Sequence, residues 1–116
     1  LVKLNKNLNP DLVLTPSSFD VHQDHNTIYQ ECLRAFRYKS IFGYELPWNN
    51  ITFTTTGLFE ISEENLNRKI TALKCYKSQQ FRHYSNENFV RSLAALRGGQ
   101  NKTQFAEAFE VIRLSG

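Results

Sequence analysis

The chain has 116 residues, 41% hydrophobic and 22% charged, a balance ordinary for one globular domain and sufficient for a buried core. Its 14 basic residues exceed the 11 acidic ones, giving a net charge of +3, but they are scattered rather than striped, which argues against a nucleic-acid partner. No apolar run reaches the roughly 20 residues of a membrane helix, and no charged-then-apolar leader opens the chain, so the expectation is a soluble, cytoplasmic protein.

Residues 1–9 read as the end of a helix, punctuated by Asn9-Pro10. Leu12-Val13-Leu14-Thr15 is a short apolar run of the kind that forms a strand covered on both faces. Pro16-Ser17-Ser18 then opens a loop carrying the stretch DVHQDH at residues 20–25. From about Asp24 a helix is expected, with Ile28, Cys32, Ala35 and Phe36 forming its buried stripe. Ile41 to Glu45 predicts a second strand, ended by the aromatic turn Leu46-Pro47-Trp48-Asn49-Asn50.

Another extended piece runs from Phe53 to Ile61, clearest at Leu58 to Ile61. Ser62 is a good N-cap, with Glu63 and Glu64 in the first turn, and Leu66, Ile70 and Leu73 mark the buried face of a helix reaching about Ser78. A further helix follows the turn from His83 to Asn88, with Phe89, Leu93 and Leu96 at helical spacing and Gly98-Gly99 as its stop. A short turn and a strand at Phe109 to Leu114 close the chain. Cys32 and Cys75 sit in helix-like patterns without CxxC spacing and read as buried thiols in a reducing compartment. No internal repeat or linker divides the 116 residues, and one domain is expected.

The chemistry concentrates in DVHQDH. His22 and His25, three apart, lie on one face of a helix, roughly 5–6 Å apart at Cβ, so two imidazoles can meet one metal ion or one substrate group. Asp20 and Asp24 flank them and can hold a ring nitrogen, the usual support for a metal-ligating histidine. The strand–loop–helix order puts the pair beyond the carboxyl end of a strand, where open α/β sheets bind ligands. Spacing alone favours a surface or structural role for the histidines over metal binding; the two aspartates and the strand-end location shift the balance towards a site. A closed metal site usually takes four ligands, and no second cluster of His, Asp and Cys supplies the rest.

The segment PDLVLTPSSFDVHQDH, residues 10–25, resembles the second signature of the LmbE-like (PIG-L) deacetylases. The likeness continues through Gly43-Tyr44-Glu45 with Pro47-Trp48, Ala72-Leu73-Lys74 to Ser78-Gln79, and Ala106-Glu107-Ala108-Phe109, covering roughly residues 9–113. It implies an α/β, Rossmann-like three-layer sandwich with a mostly parallel sheet, of which this chain is the C-terminal part. It also implies a zinc cofactor and hydrolysis of an N-acetyl group from an N-acetylglucosamine-type sugar or conjugate, by attack of a zinc-bound water on the amide.

In that resemblance His25 is the metal ligand and His22 the catalytic group that stabilises the transition state or acts as an acid. Asp24 and Asp20 are supporting residues behind them, and Glu107 a further carboxylate lining the cleft. Gln23 stands where the family has proline. The family's first signature, a His-Pro-Asp-Asp/Glu type segment carrying the other ligands and the general base, does not occur in these residues. The lack of methionine and the opening in a helix tail agree with upstream sequence that holds it. The chain by itself is then expected to be inactive.

The partners implied are an N-acetylated amino sugar and no nucleic acid or membrane span, with the aromatics Trp48, Phe81 and Tyr84 leaving room for a homo-oligomer. The rival reading is a non-catalytic α/β binding module whose histidines only hold a loop.

Overall fold

The computed structural model describes residues 1–76 and 86–116. In chain order the elements are α1 (Val2–Leu8), β1 (Leu12–Pro16), α2 (Gln23–Ala35), β2 (Ser40–Tyr44), β3 (Gly57–Glu60), α3 (Glu63–Lys74), α4 (Glu87–Asn101) and β4 (Ala106–Arg113). The helix expected to reach about Ser78 ends at Lys74, with Cys75 as its C-cap, and Ser78-Gln79, the start of the expected turn at His83 and the aromatics Phe81 and Tyr84 lie outside the described residues. The chain divides into two compact units, one of residues 1–57 and 109–116 and the other of residues 58–108.

The first unit is built on a β–α–β crossover. β1 and β2 pair in parallel, Leu12 against Ser40 through Pro16 against Tyr44, and parallel neighbours need a connection long enough to return the chain, here α2. Cys32, Ala35 and Phe36 of the α2 end pack with Ile41, and Val13, Leu33 and Ile112 close the cluster. These partners gather at the C-terminal half of α2, so Ile28, expected in the buried stripe, is 46% exposed. Leu12 and Leu14 are likewise exposed, and β1 is not covered on both faces as its apolar run suggested. It is an edge strand in the order β1-β2-β4-β3.

The sheet is mixed rather than mostly parallel. β4 runs antiparallel to β2, with Glu110 opposite Gly43 and Phe109 opposite Tyr44. The bonds Thr56 N–H to Phe109 O and Ile61 N–H to Phe105 O advance along one chain as they retreat along the other, so β3 is antiparallel to β4 as well. A parallel neighbour needs a crossover that returns the chain to its starting end, which the single helix α2 does between β1 and β2; two helices, α3 and α4, stand between β3 and β4, and those strands run antiparallel. The α/β class holds, but the parallel character is confined to the β1–β2 pair.

In the second unit, Leu66 and Ile70 of α3 pack with Val90 and Ala94 of α4, and Ile61, Leu73 and Phe105 close the cluster. The Ser62 hydroxyl caps α3 by accepting from Asn65 N–H at 3.1 Å. Helix α4 does not stop at Gly98-Gly99. It continues to Asn101 and ends at Lys102 in the left-handed conformation, φ 56°. Gly98 is buried instead, because the chain folds back over the helix there. A Cβ at that position would lie 2.3 Å from Gln104 O. The buried stripe is accordingly Val90, Ala94 and Gly98, and Leu96 faces outward at 59% exposure. Cys32 is buried as expected, whereas Cys75 is exposed because it caps the end of α3.

Candidate active site

The carboxyl ends of β1 and β2 lead into two loops that meet. Asp20 and Asn50 form an isolated antiparallel bridge, and Val21 N–H donates to Asn49 O at 3.0 Å. The aromatic turn after β2 is fixed by Leu46 N–H donating to Asn50 Oδ1 at 2.8 Å. The DVHQDH loop therefore sits where the topology of an α/β crossover puts a ligand site.

His22 is the N-cap of α2, its backbone extended at φ −72° and ψ 128°, and its Nδ1 accepts from Asp24 N–H at 3.2 Å. His25 lies in the first turn. The two rings stack with centroids 4.5 Å apart and planes inclined by 27°. Asp20, only 4% exposed, serves both: its Oδ1 accepts from His22 N–H at 2.8 Å, and its Oδ2 lies 2.8 Å from His25 Nδ1.

These bonds make the two imidazoles chemically different. A carboxylate only accepts, so His25 Nδ1 carries the proton towards Asp20 and, in the neutral ring, Nε2 keeps a bare lone pair. That is the state of a metal-ligating histidine backed by a carboxylate. In His22 Nδ1 is the acceptor, so the proton of its neutral ring sits on Nε2, which becomes a donor. Asp24 contributes its backbone N–H to this arrangement, and its side chain is exposed. Asp20 is the aspartate in contact with His25.

Glu107 belongs to the second unit. Its carboxylate is engaged by Lys69 Nζ at 2.9 Å within the second unit. Strand alternation puts it on the opposite face of β4 from Glu110, a residue that sequence reading missed. Glu110 is buried and accepts from the Ser17 hydroxyl at 3.0 Å, Ser18 N–H at 3.2 Å and the Ser18 hydroxyl at 2.5 Å. Two tyrosines border this loop. Burial first and the Glu110 charge second hold the Tyr29 phenol above its ordinary pKa, against a lowering hydrogen bond with Ser18. Tyr44 is raised by burial, then by Asp20 and Cys32.

Whether zinc suits these residues turns on the donor set. His25 offers one well-prepared nitrogen. Among the described residues no group of three or more His, Cys, Asp or Glu is placed to hold an ion. What the described residues offer a metal ion is this single nitrogen.

No family model matches the chain. It is 37% identical over 67 residues to the uncharacterized deacetylase YaiS of Escherichia coli K12, a match covering 57% of this chain and 36% of that protein. The zinc-inhibited form of teicoplanin deacetylase Orf2 superposes with a TM-score of 0.72 at 18% identity, over 93% of this chain and 47% of that one. The chain is homologous to part of a deacetylase. A triple mutant of the same enzyme, which takes part in teicoplanin biosynthesis, gives a TM-score of 0.69 at 20% identity, over 93% of this chain and 52% of the other. The α/β fold of this chain is thus found in solved deacetylases. The chain spans about a third of the bacterial relative and about half of the solved ones.

Proposed function

We propose that this chain is the carboxyl part of a single LmbE-like deacetylase domain, a zinc-dependent amide hydrolase acting on an N-acetylglucosamine-type sugar or conjugate. The observation that carries the reading is the contact between buried Asp20 and His25 Nδ1 at 2.8 Å, which leaves Nε2 of His25 ready to coordinate. Deacetylase homology in sequence and fold supports the reaction class.

His25 would hold zinc, with the remaining ligands and the general base supplied outside the described residues. When bound, zinc supplies Lewis acidity that polarises an amide carbonyl and acidifies water. Asp20 keeps His25 in the ligating tautomer and, through His22 N–H, ties the first turn of α2 to the same carboxylate. His22 Nε2–H donates to the carbonyl oxygen of the acetamide as negative charge develops there, which is the role of an oxyanion donor. Stacking against His25 keeps the His22 ring within reach of the substrate that the ligand site holds.

The test uses the full-length protein, loaded with stoichiometric zinc because zinc inhibits the structural neighbour. About one zinc per chain and acetate release from N-acetylglucosamine conjugates are expected. His25→Ala loses most of the metal, whereas His22→Ala keeps it and loses acetate release by roughly 10²-fold or more. Unchanged metal content in His25→Ala, or no acetate from any N-acetylated amino sugar, returns the chain to the class of non-catalytic binding modules.

A further inference from the structure

Glu110 is a buried carboxylate that no step above uses. Among the described residues its hydrogen-bond donors are the Ser17 hydroxyl, the Ser18 hydroxyl and Ser18 N–H, the two residues that begin the histidine loop. A buried charge is costly unless such donors compensate it, so strand β4 and this loop are tied tightly. Ser17 passes the constraint on, because its hydroxyl accepts from Phe19 N–H at 3.1 Å and its carbonyl accepts from Asp20 N–H at 3.1 Å. Asp20 in turn orients His25.

The sheet is shaped to receive the loop. Gly43 is the partner of Glu110 across the β2–β4 pair, and a Cβ on Gly43 would lie 2.9 Å from Ser17 Cα. The missing side chain lets the loop backbone settle onto the strand, and the carboxylate opposite holds its hydroxyls there.

We propose that Glu110 is a positioning residue: by fixing Ser17 and Ser18 on the sheet it holds Asp20 where it keeps His25 in the ligating tautomer. Its consequence for zinc rests on the function proposed above, whereas its effect on the imidazole does not. In the full-length protein, nitrogen-15 spectra of the metal-free imidazoles report the His25 tautomer, and metal titration reports zinc affinity.

Glu110→Ala is expected to mix the His25 tautomers and weaken zinc binding about tenfold, the lower end for residues that support a ligand indirectly. Glu110→Gln, whose amide oxygen can accept from the serines while its NH2 donates to the Ser18 hydroxyl, should restore both. Val13→Ala, which loosens the core under the same strand pair, should lower thermal stability without moving either signal. Wild-type tautomer and affinity in Glu110→Ala overturn the proposal, as does a Val13→Ala variant that reproduces its changes. If Glu110→Ala does not fold, Ser18→Ala is read instead, with the same direction expected and an unchanged His25 signal overturning it. A wild-type protein that binds no zinc but shows the tautomer shift on mutation sinks the zinc hydrolase reading and leaves the positioning role intact.

Discussion

In the unit of residues 58–108, charge lies on the surface: Arg68 pairs with Glu64, Lys69 with Glu107, and Lys74 and Arg91 with Glu87, around a core of Leu66, Ile70, Val90 and Ala94. In the unit of residues 1–57 and 109–116, two carboxylates are buried: Asp20, bonded to His22 N–H and His25, and Glu110, bonded to Ser17 and Ser18 at the start of the same loop. Exposed pairs contribute little to stability. Buried, saturated carboxylates fix geometry, because any displacement leaves a charge without donors. The first arrangement stabilises a scaffold and the second orients the two histidines, so under the proposed function mutations in the two units should separate stability from site chemistry.

The largest effect on stability is expected from Leu66→Ala. Truncating this fully buried side chain should cost about 2–5 kcal/mol in denaturant unfolding, while zinc affinity of the folded protein stays put. A parallel fall in affinity would mean that the two units do not separate in this way. Gly43→Ala should cost less, about 1–3 kcal/mol, because the new methyl meets the Ser17 backbone and something must move. Unlike Leu66→Ala it should also weaken zinc binding, and metal titration at a temperature where both variants are folded decides the matter.

Arg68→Ala, in an exposed i,i+4 pair with Glu64, is expected to change stability by no more than about 0.5 kcal/mol, within the scatter of a careful unfolding series. The smallest effect concerns acid. The side-chain hydrogen bond from Arg91, followed by the charge of Lys74, holds the fully exposed Glu87 carboxyl below its ordinary value of 4.5. With the folded pKa depressed, its small contribution is fully present above pH 4.5 and is lost as pH falls through the folded value. Glu87→Gln should flatten the stability profile slightly in that acid range and nowhere else, and a salt titration should flatten the wild-type profile likewise.

Much of the local structure was legible in the chain. Asn9-Pro10 ends α1, Pro16-Ser17-Ser18 ends β1, and Ser62 with Glu63 and Glu64 starts α3, because caps and turns are set by side chains that bond their own neighbouring backbone. The pairing of Asp20, His22 and His25 was legible for the same reason, all three lying within six residues. Which aspartate holds His25 was not. Asp20 takes that place because the bridge to Asn50 turns the loop so that its carboxylate lies under the first turn of α2.

The C-terminal strand shows where the reading stopped. Ala106, Ala108 and Glu110 are its buried face, an alternation present in AEAFE, but a strand expected to begin at Phe109 conceals that face, and Glu107 is singled out by the family resemblance alone. Gly98 misled similarly, because its role depends on Gln104 folding back onto the helix. The sequence by itself determined the order of helices and strands, the histidine loop and its place after a strand, since these follow from neighbouring residues. Only the tertiary structure decided the mixed sheet, the Glu110–serine anchor and the distinct chemistry of the two histidines. Glu110 and Ser18 are 92 positions apart, and no local periodicity encodes a bond that exists only after β4 has paired with β2.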